Sequence, residues 1–217
     1  SRRLIAFGVA ALIILSNCSG TSSQPIAAGT GVNPRLPAPE HKLIPTVKIA
    51  PAIGWPTGKK PLAAPGTQVT AFATGLDHPR WLYVLPNGDV LVAESNAPAK
   101  PENAKGLKGW AMGLVMKRAG AAVPSANRIT LLRDTNGDGI ADLQTIFLEN
   151  LNSPFGMVLV NDKLYVANSD AILSFSYRTG DTKIAAQGTK LVALPAGPIN
   201  HHWTKNLIAN PAGTQIY

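Results

Sequence analysis

Residues 75–94 read GLDHPRWLYVLPNGDVLVAE, and residues 150–168 read NLNSPFGMVLVNDKLYVAN. In each stretch an apolar run follows a proline, reaches a turn rich in Asn, Asp, Pro or Gly, and continues as a second apolar run. Residues 198–217, PINHHWTKNLIANPAGTQIY, follow the same order. Two β-rich runs joined by such a turn are typical of a hairpin. A hairpin that recurs along the chain is typical of the inner strands of propeller blades.

Further strands are predicted outside these hairpins. Residues 128–133, RITLLR, and residues 171–177, AILSFSY, alternate in polarity as half-buried strands do, and residues 190–194 add a short strand. A blade needs about 45 residues, so residues 66–217 hold about three blades, with an insertion at residues 97–127. We therefore predict an all-β fold, a six-bladed β-propeller of which this chain carries the truncated N-terminal half.

The beginning of the chain has the features of an export signal. Arg2 and Arg3 precede an apolar run that leads to Cys18, so residues 1–18 are predicted to be a secretory signal. Cys18 resembles the acylated cysteine of a bacterial lipoprotein, and ordinary cleavage nearby is the alternative. Residues 19–65 are rich in Pro, Gly and Ser and predict an extended tether. Both alternatives predict a periplasmic protein, which in the first case is anchored to the membrane by lipid.

Composition excludes several classes of protein. The 217 residues include one Cys, which rules out a disulfide scaffold. The 20 Lys and Arg exceed the 12 Asp and Glu, but the whole excess lies in the first 120 residues and has no interleaved aromatics, which disfavours nucleic-acid binding. Motifs of serine hydrolases, thiol oxidoreductases, NTPases and nicotinamide enzymes are absent from the sequence.

Two adjacent histidines, His201 and His202, stand near the start of the third repeat. Neighbouring side chains on a strand point to opposite faces, so at most one would face the central channel of a propeller. An imidazole there is suited to take a proton from a sugar hydroxyl near neutral pH. Packed or solvated histidines at a blade edge are the alternative. Arg80 and Trp81, on an inner strand, are candidates to reach an anionic cofactor.

The stretch DTNGDGIAD at residues 134–142 resembles a calcium loop. Asp134, Asn136, Asp138 and Asp142 supply oxygens at positions 1, 3, 5 and 9, and a glycine occupies position 6. Position 12, where a bidentate Glu is expected, is a threonine, and strands rather than helices flank the loop. Two hypotheses stay open, a structural calcium site and an Asx-rich hairpin loop.

Within the insertion, residues 100–118 predict a short amphipathic helix. Leu107, Trp110 and Leu114 stand at i, i+3 and i+7, and two glycines interrupt the pattern. Such a helix either packs onto the propeller or forms a lid or a docking face for an acidic electron acceptor.

In combination these motifs resemble the L-sorbosone dehydrogenase-like family, whose members are similar to soluble quinoprotein glucose dehydrogenases. The stretches that carry the resemblance are GLDHPRWLYVLPNGDVLVAE, NRITLLRDTNGDGIAD, NSPFGM, LYVANSD and GPINHHWTKNL. They extend over residues 66–217, and they are specific together rather than one by one.

The resemblance implies a six-bladed propeller that binds pyrroloquinoline quinone (PQQ) with calcium and oxidises an aldose or a sorbosone-type sugar aldehyde. It also implies a periplasmic electron acceptor as partner. His202 matches the general base of the glucose dehydrogenases, and His201 stands where those enzymes often carry Asp. We predict that His201 and Arg80 contact the cofactor. The other cofactor residues of the family belong to later blades, so the 217-residue chain is expected to be inactive alone.

Two other functions remain open at this point. One is a calcium-dependent lactonase or related propeller hydrolase, for which Glu94 and Asn168 are candidate metal ligands because they occupy equivalent positions in two repeats. The other is a non-catalytic binding propeller, which the fold alone does not distinguish from an enzyme.

Overall fold

A computed structural model describes residues 25–36, 38, 49–98, 106–197 and 200–217. The chain divides into two units, Ser1–Ala50 and Pro51–Tyr217. In the described part of the first unit the backbone forms a single 3₁₀ turn, Ile26–Gly29. The predicted export signal lies outside the described residues, as does part of the predicted tether.

Eight strands follow in the second unit and form two four-stranded antiparallel sheets. The first sheet contains β1 (Pro79–Val84), β2 (Val90–Glu94), β3 (Arg128–Arg133) and β4 (Leu143–Leu148), hydrogen-bonded in that order. The second contains β5 (Met157–Val160), β6 (Lys163–Ala167), β7 (Ala171–Ser176) and β8 (Thr189–Ala193), again in chain order. Strand order therefore equals chain order in both sheets, as in the blades of a propeller.

The all-β prediction is confirmed, and the two sheets are blades of a partial β-propeller. The third repeat contributes a further short hairpin, in which Ala209 and Ile216 form an antiparallel bridge. Strands were expected on both sides of the calcium-like loop, and β4, Leu143–Leu148, is the one that follows it, although its bounds were not predicted.

The two blades pack face to face through alternate residues of their strands. Leu91 and Ala93 of β2 point toward the second blade, and Leu164 and Val166 of β6 point back toward the first. Tyr83 adds a polar link, since its hydroxyl accepts a hydrogen bond of 2.9 Å from the backbone N–H of Leu159. The larger of two buried apolar clusters comprises Leu85, Leu91, Ala93, Ile129, Leu131, Phe147, Leu148, Leu151, Met157, Leu164, Val166, Phe175 and Tyr177.

The opposite face of the second blade packs against the third repeat. Val158 and Ala167 contact Leu207 in a smaller apolar cluster. Gly156 makes this packing possible, because a Cβ at that position would lie 2.6 Å from the Cα of Asn206. The blades and the third hairpin are thus stacked in sequence order.

Both blades begin with the same unusual backbone conformation. His78 (φ 51°) and Ser153 (φ 47°) are left-handed, and each directly precedes the proline that opens the inner strand. Left-handed φ is uncommon for residues other than Gly and Asn. Its recurrence before Pro79 and Pro154 means that the two repeats match in backbone geometry as well as in sequence.

The insertion contains one helix, α1 (Gly106–Arg118), which confirms the predicted helix but corrects two of its details. It runs without a break through both of its internal glycines. Its side chains from Trp110 to Arg118 are exposed, so the prediction that it packs onto the propeller is wrong for these residues. The reason is that its apolar residues lie on more than one face of the helix and do not form a single buried stripe.

Within the described part of the chain, no helix is both long enough and apolar enough to cross a membrane.

Candidate functional site

The candidate site lies at the end of the blades where the inner strands begin, which we call the top. Pro79 of β1, Glu94 of β2, Pro154 before β5 and Ala167 of β6 all lie there, because antiparallel neighbours start and end at the same edge. The blades are joined at the top, where the Ser95 hydroxyl donates a buried hydrogen bond of 2.6 Å to the Pro154 carbonyl.

Three aromatic rings, each from a different repeat, meet near the top. Trp81 and Phe155 have ring centroids 5.2 Å apart, and Phe155 meets Trp203 edge to face at 6.4 Å. The Arg80 guanidinium lies over the Trp203 ring, 5.4 Å from its centroid. Arg80 and Trp81 are exposed, while Trp203 is only 9% exposed. We call Arg80, Trp81, Phe155 and Trp203 the aromatic–arginine cluster.

This cluster combines the two properties that recognise a planar anion. Aromatic faces give a flat apolar surface for stacking. The cation–π contact with Trp203 fixes the direction of the Arg80 side chain, while its exposed N–H groups remain able to pair with a carboxylate. Arg80 and Trp81 are the members of this cluster that the sequence predicted as candidates, whereas Phe155 and Trp203 were not predicted. The repeat contained a signal for Phe155, which follows Pro154 as Arg80 follows Pro79.

The two histidines lie in a turn and not on a strand, which corrects the prediction that strand geometry separates their side chains. The Lys205 ammonium donates a hydrogen bond of 2.8 Å to the backbone carbonyl of His202, and strand pairing begins only at Ala209. His201 and His202 are both exposed and directly precede Trp203 of the cluster. The histidine pair is therefore adjacent to the cluster in sequence. The base role of His202 and the cofactor role of His201 stay predictions.

Glu94, a candidate metal ligand, is fully buried and its carboxylate is already occupied. Arg128 donates to both of its oxygens, at 3.0 and 2.9 Å, and the Thr130 hydroxyl and the Asp77 backbone N–H donate as well. Burial tends to raise the pKa of the Glu94 carboxyl, but the hydrogen bonds from Arg128 and Thr130 outweigh it and hold the pKa below its ordinary value. Glu94 is therefore an anchor of the first blade and not a metal ligand.

Asn168, the equivalent residue of the second blade, has a different environment. It is 5% exposed, and its side-chain oxygen Oδ1 has no hydrogen-bond partner within the described residues. The amide nitrogen Nδ2 of Asn200 is likewise buried and unpaired there. Buried polar atoms without a partner are uncommon and call for an explanation such as a bound water or ligand.

The calcium-like loop joins β3 to β4 and so lies at the bottom of the first blade, away from the cluster. Asp134 accepts backbone hydrogen bonds from Gly137 and Gly139, and Asp142 accepts from Thr135. The bond from Gly139 makes the largest contribution to holding the pKa of Asp134 below its ordinary value. Because these oxygens bind the loop's own N–H groups, the geometry is that of an Asx-rich loop. Calcium binding by Asp134, Asn136, Asp138 and Asp142 stays a prediction.

Across the described ranges, no group of three or more His, Cys, Asp or Glu side chains is gathered in a way that could hold a metal ion.

Three comparisons relate the chain to known proteins. Residues 101–206 match a family described as a domain of unknown function, DUF7133. No curated protein matches the chain. Among solved structures, the chain is similar to the holo form of the pyranose dehydrogenase PQQ domain from Coprinopsis cinerea, with 14% identity and a TM-score of 0.44. That similarity covers 65% of this chain but 27% of the other, so this chain spans about a quarter of that structure.

Proposed function

We propose that this chain is part of a PQQ-dependent dehydrogenase that oxidises an aldose or a sorbosone-type sugar aldehyde in the periplasm. The observation that carries the proposal is the aromatic–arginine cluster at the top of the blades, with an exposed histidine pair directly beside it in sequence. The family resemblance of the sequence motifs supports the same conclusion.

The described residues fit the quinone but not its metal partner. PQQ is a planar tricarboxylate, so it needs a stacking surface and cations, which Trp81, Phe155 and Arg80 supply. Calcium needs several free oxygen ligands. At the top of the blades the oxygens of Glu94 are occupied by Arg128 and Thr130. We therefore assign no step to calcium on these residues.

When bound, the quinone supplies the two-electron acceptor for sugar oxidation. The contribution of this chain is to bind and orient. Arg80 would pair with a carboxylate of the cofactor, and the aromatic rings would exclude water from one face of it. His202 would accept the proton from the sugar hydroxyl at a ring nitrogen, which neutral imidazole can do near neutral pH. His201 would assist cofactor binding from the neighbouring position.

The location and the remaining partners belong to the same proposal. Export to the periplasm, with or without a lipid on Cys18, rests on the sequence of residues 1–18. The electron acceptor would be a second periplasmic molecule.

Cofactor binding is the first test. The full-length protein containing this chain should be titrated with PQQ while its tryptophan fluorescence is recorded. Arg80→Gln should weaken binding about tenfold or more, since a charge-assisted pair contributes roughly 1.5–3 kcal/mol. Arg178→Gln is the matched control, because Arg178 is exposed near the bottom of the second blade and should leave binding unchanged. If the native protein binds no PQQ, the proposal fails.

Turnover is the second test. Dye reduction with a panel of aldoses and with sorbosone should depend on PQQ. His202→Ala should lower the rate about 100-fold or more without weakening PQQ binding, as expected for loss of a general base. Binding without any turnover would favour the non-catalytic propeller instead. We do not propose the lactonase alternative, because the Glu94 carboxylate is engaged by Arg128.

A further inference from the structure

Helix α1 exposes an unusual number of large apolar side chains. Trp110 is 65% exposed, and four neighbours on the helix are also exposed, namely Met112, Leu114, Val115 and Met116. Trp110 and Leu114 are four residues apart and share one face of the helix, and Lys117 follows Leu114 on that face at its carboxyl end.

A second exposed apolar segment runs beside the end of this helix. The backbone N–H of Ala52 donates a hydrogen bond of 3.0 Å to the carbonyl of Arg118, the last residue of α1. A Cβ on Gly120 would lie 2.5 Å from the Cβ of Ala52, so the two segments are in close contact. Just beyond this contact lie two more exposed apolar side chains, those of Ile53 and Trp55, of which Trp55 is 68% exposed.

The charges of the two segments all have one sign. Residues 49–76 and 106–133 contain no Asp or Glu. They contain Lys59 and Lys60 on one segment and Lys117 on the other, all three with exposed side chains. The nearest acidic residues in the sequence are Glu40 and Asp77 around the first range and Glu102 and Asp134 around the second. We call Ile53, Trp55, Trp110, Leu114 and the three lysines the basic apolar patch.

We propose that the basic apolar patch binds the surface of an anionic lipid bilayer. Exposed tryptophan and leucine side chains insert into the boundary between headgroups and acyl chains, and lysines reach past them to the lipid phosphates. A helix of 13 residues is about 20 Å long, which is too short to span a bilayer but suits a helix lying on it. Exposed lysines in segments that carry no carboxylate of their own suit an anionic surface better than an uncharged apolar partner. This proposal does not rest on the proposed enzymatic function.

The test compares vesicles of phosphatidylglycerol with vesicles of phosphatidylcholine. The full chain should bind the anionic vesicles more tightly. Lys60→Gln combined with Lys117→Gln should weaken that binding about 30-fold, from about 1 kcal/mol for each cation near the surface. Lys183→Gln combined with Lys190→Gln removes the same charge from exposed positions on the second blade and should change binding less than twofold.

A second measurement separates this patch from the apolar leader. Lipids brominated in their acyl chains quench tryptophans that insert among them. Native protein should be quenched more than Trp110→Phe, and Trp203→Phe should lose none of the quenching, since Trp203 is buried.

Three outcomes would overturn the proposal. One is equal binding of the lysine variant and its control, and a second is equal quenching of native protein and Trp110→Phe, which would assign binding to the leader. The third is a lipid-free dimer in which α1 is protected from hydrogen exchange, which would assign the patch to a second copy of the chain.

Discussion

The two blades share backbone geometry but differ at the residue at the end of the second strand. In the first blade Glu94 closes the second strand and receives hydrogen bonds from Arg128, Thr130 and Asp77. In the second blade Asn168 stands at the same place, is also buried, and has an unpaired Oδ1 within the described residues. Ion pairing and hydrogen bonds to Glu94 thus stabilise the first blade. In the second blade Oδ1 of Asn168 is left available to accept a hydrogen bond from a bound water or ligand. In a repeated fold, the same position can therefore stabilise one blade and be available for binding in the next.

The largest change in the free energy of unfolding is expected for Glu94→Gln, which removes the charge by which the first blade differs from the second. Removing the charge of the fully buried Glu94 side chain leaves Arg128 without its main partner, and we expect a loss of about 3 kcal/mol in the free energy of unfolding. Urea unfolding measures it. Glu149→Gln is the matched control, because Glu149 pairs with Lys183 at the surface, and its loss should cost less than about 0.5 kcal/mol. Equal losses would mean that the buried network does not stabilise the blade.

Packing also differs between the blades. By the repeat alignment Gly156 of the second blade stands where the first has Trp81. Gly156→Ala should cost about 2 kcal/mol, since its Cβ would meet the backbone of Asn206 and Leu207. Thermal unfolding would detect this. Gly113→Ala, on the open surface of α1, should instead gain up to about 1 kcal/mol. Unchanged stability in Gly156→Ala would refute the close approach at Gly156.

The pH dependence of stability should follow from the first blade alone. The pKa of the Glu94 carboxyl is lower in the folded protein than its ordinary value of 4.5, so its contribution is complete above that pH. As the pH falls below 4.5 the unfolded state takes up the proton first, and this stability is lost. Glu94→Gln should therefore flatten the acid side of a stability profile measured by urea unfolding. An unchanged slope would contradict the lowered pKa.

The smallest effect is expected at Asn168. Asn168→Leu removes an unpaired acceptor and fills the space with apolar atoms, so the free energy of unfolding should change by less than about 1 kcal/mol. Asn127→Leu is the contrasting control, because Oδ1 of Asn127 accepts hydrogen bonds from Ser153 and Ser125. A large loss in Asn168→Leu would mean that its oxygen has a partner.

The sequence predicted strands well where apolar alternation and turns coincide. Arg128–Arg133 matches a predicted strand in full, and the inner hairpins follow from their proline and glycine positions. It did not predict the bounds of the strand Leu143–Leu148 after the calcium-like loop, and it placed the His201–His202 pair on a strand, whereas both residues lie in a turn.

The candidate site was harder to predict than the fold. Arg80 could be singled out by its charge on an inner strand. Its contact with Trp203 joins residues 123 positions apart, and no local pattern reports such a pairing. The same limit explains why Glu94 was predicted as a candidate metal ligand. Its pairing with Arg128, 34 positions away, is visible only in the structure.

The lengths of the links between strands have a consequence for the order of folding. In the second blade two residues join β5 to β6 and three join β6 to β7, whereas 33 residues separate β2 from β3. Closing the longer link costs about 2 kcal/mol more in chain entropy than closing the three-residue one. We therefore expect the second blade to form early from local contacts, and the first blade to complete itself afterwards on a surface that is already in place.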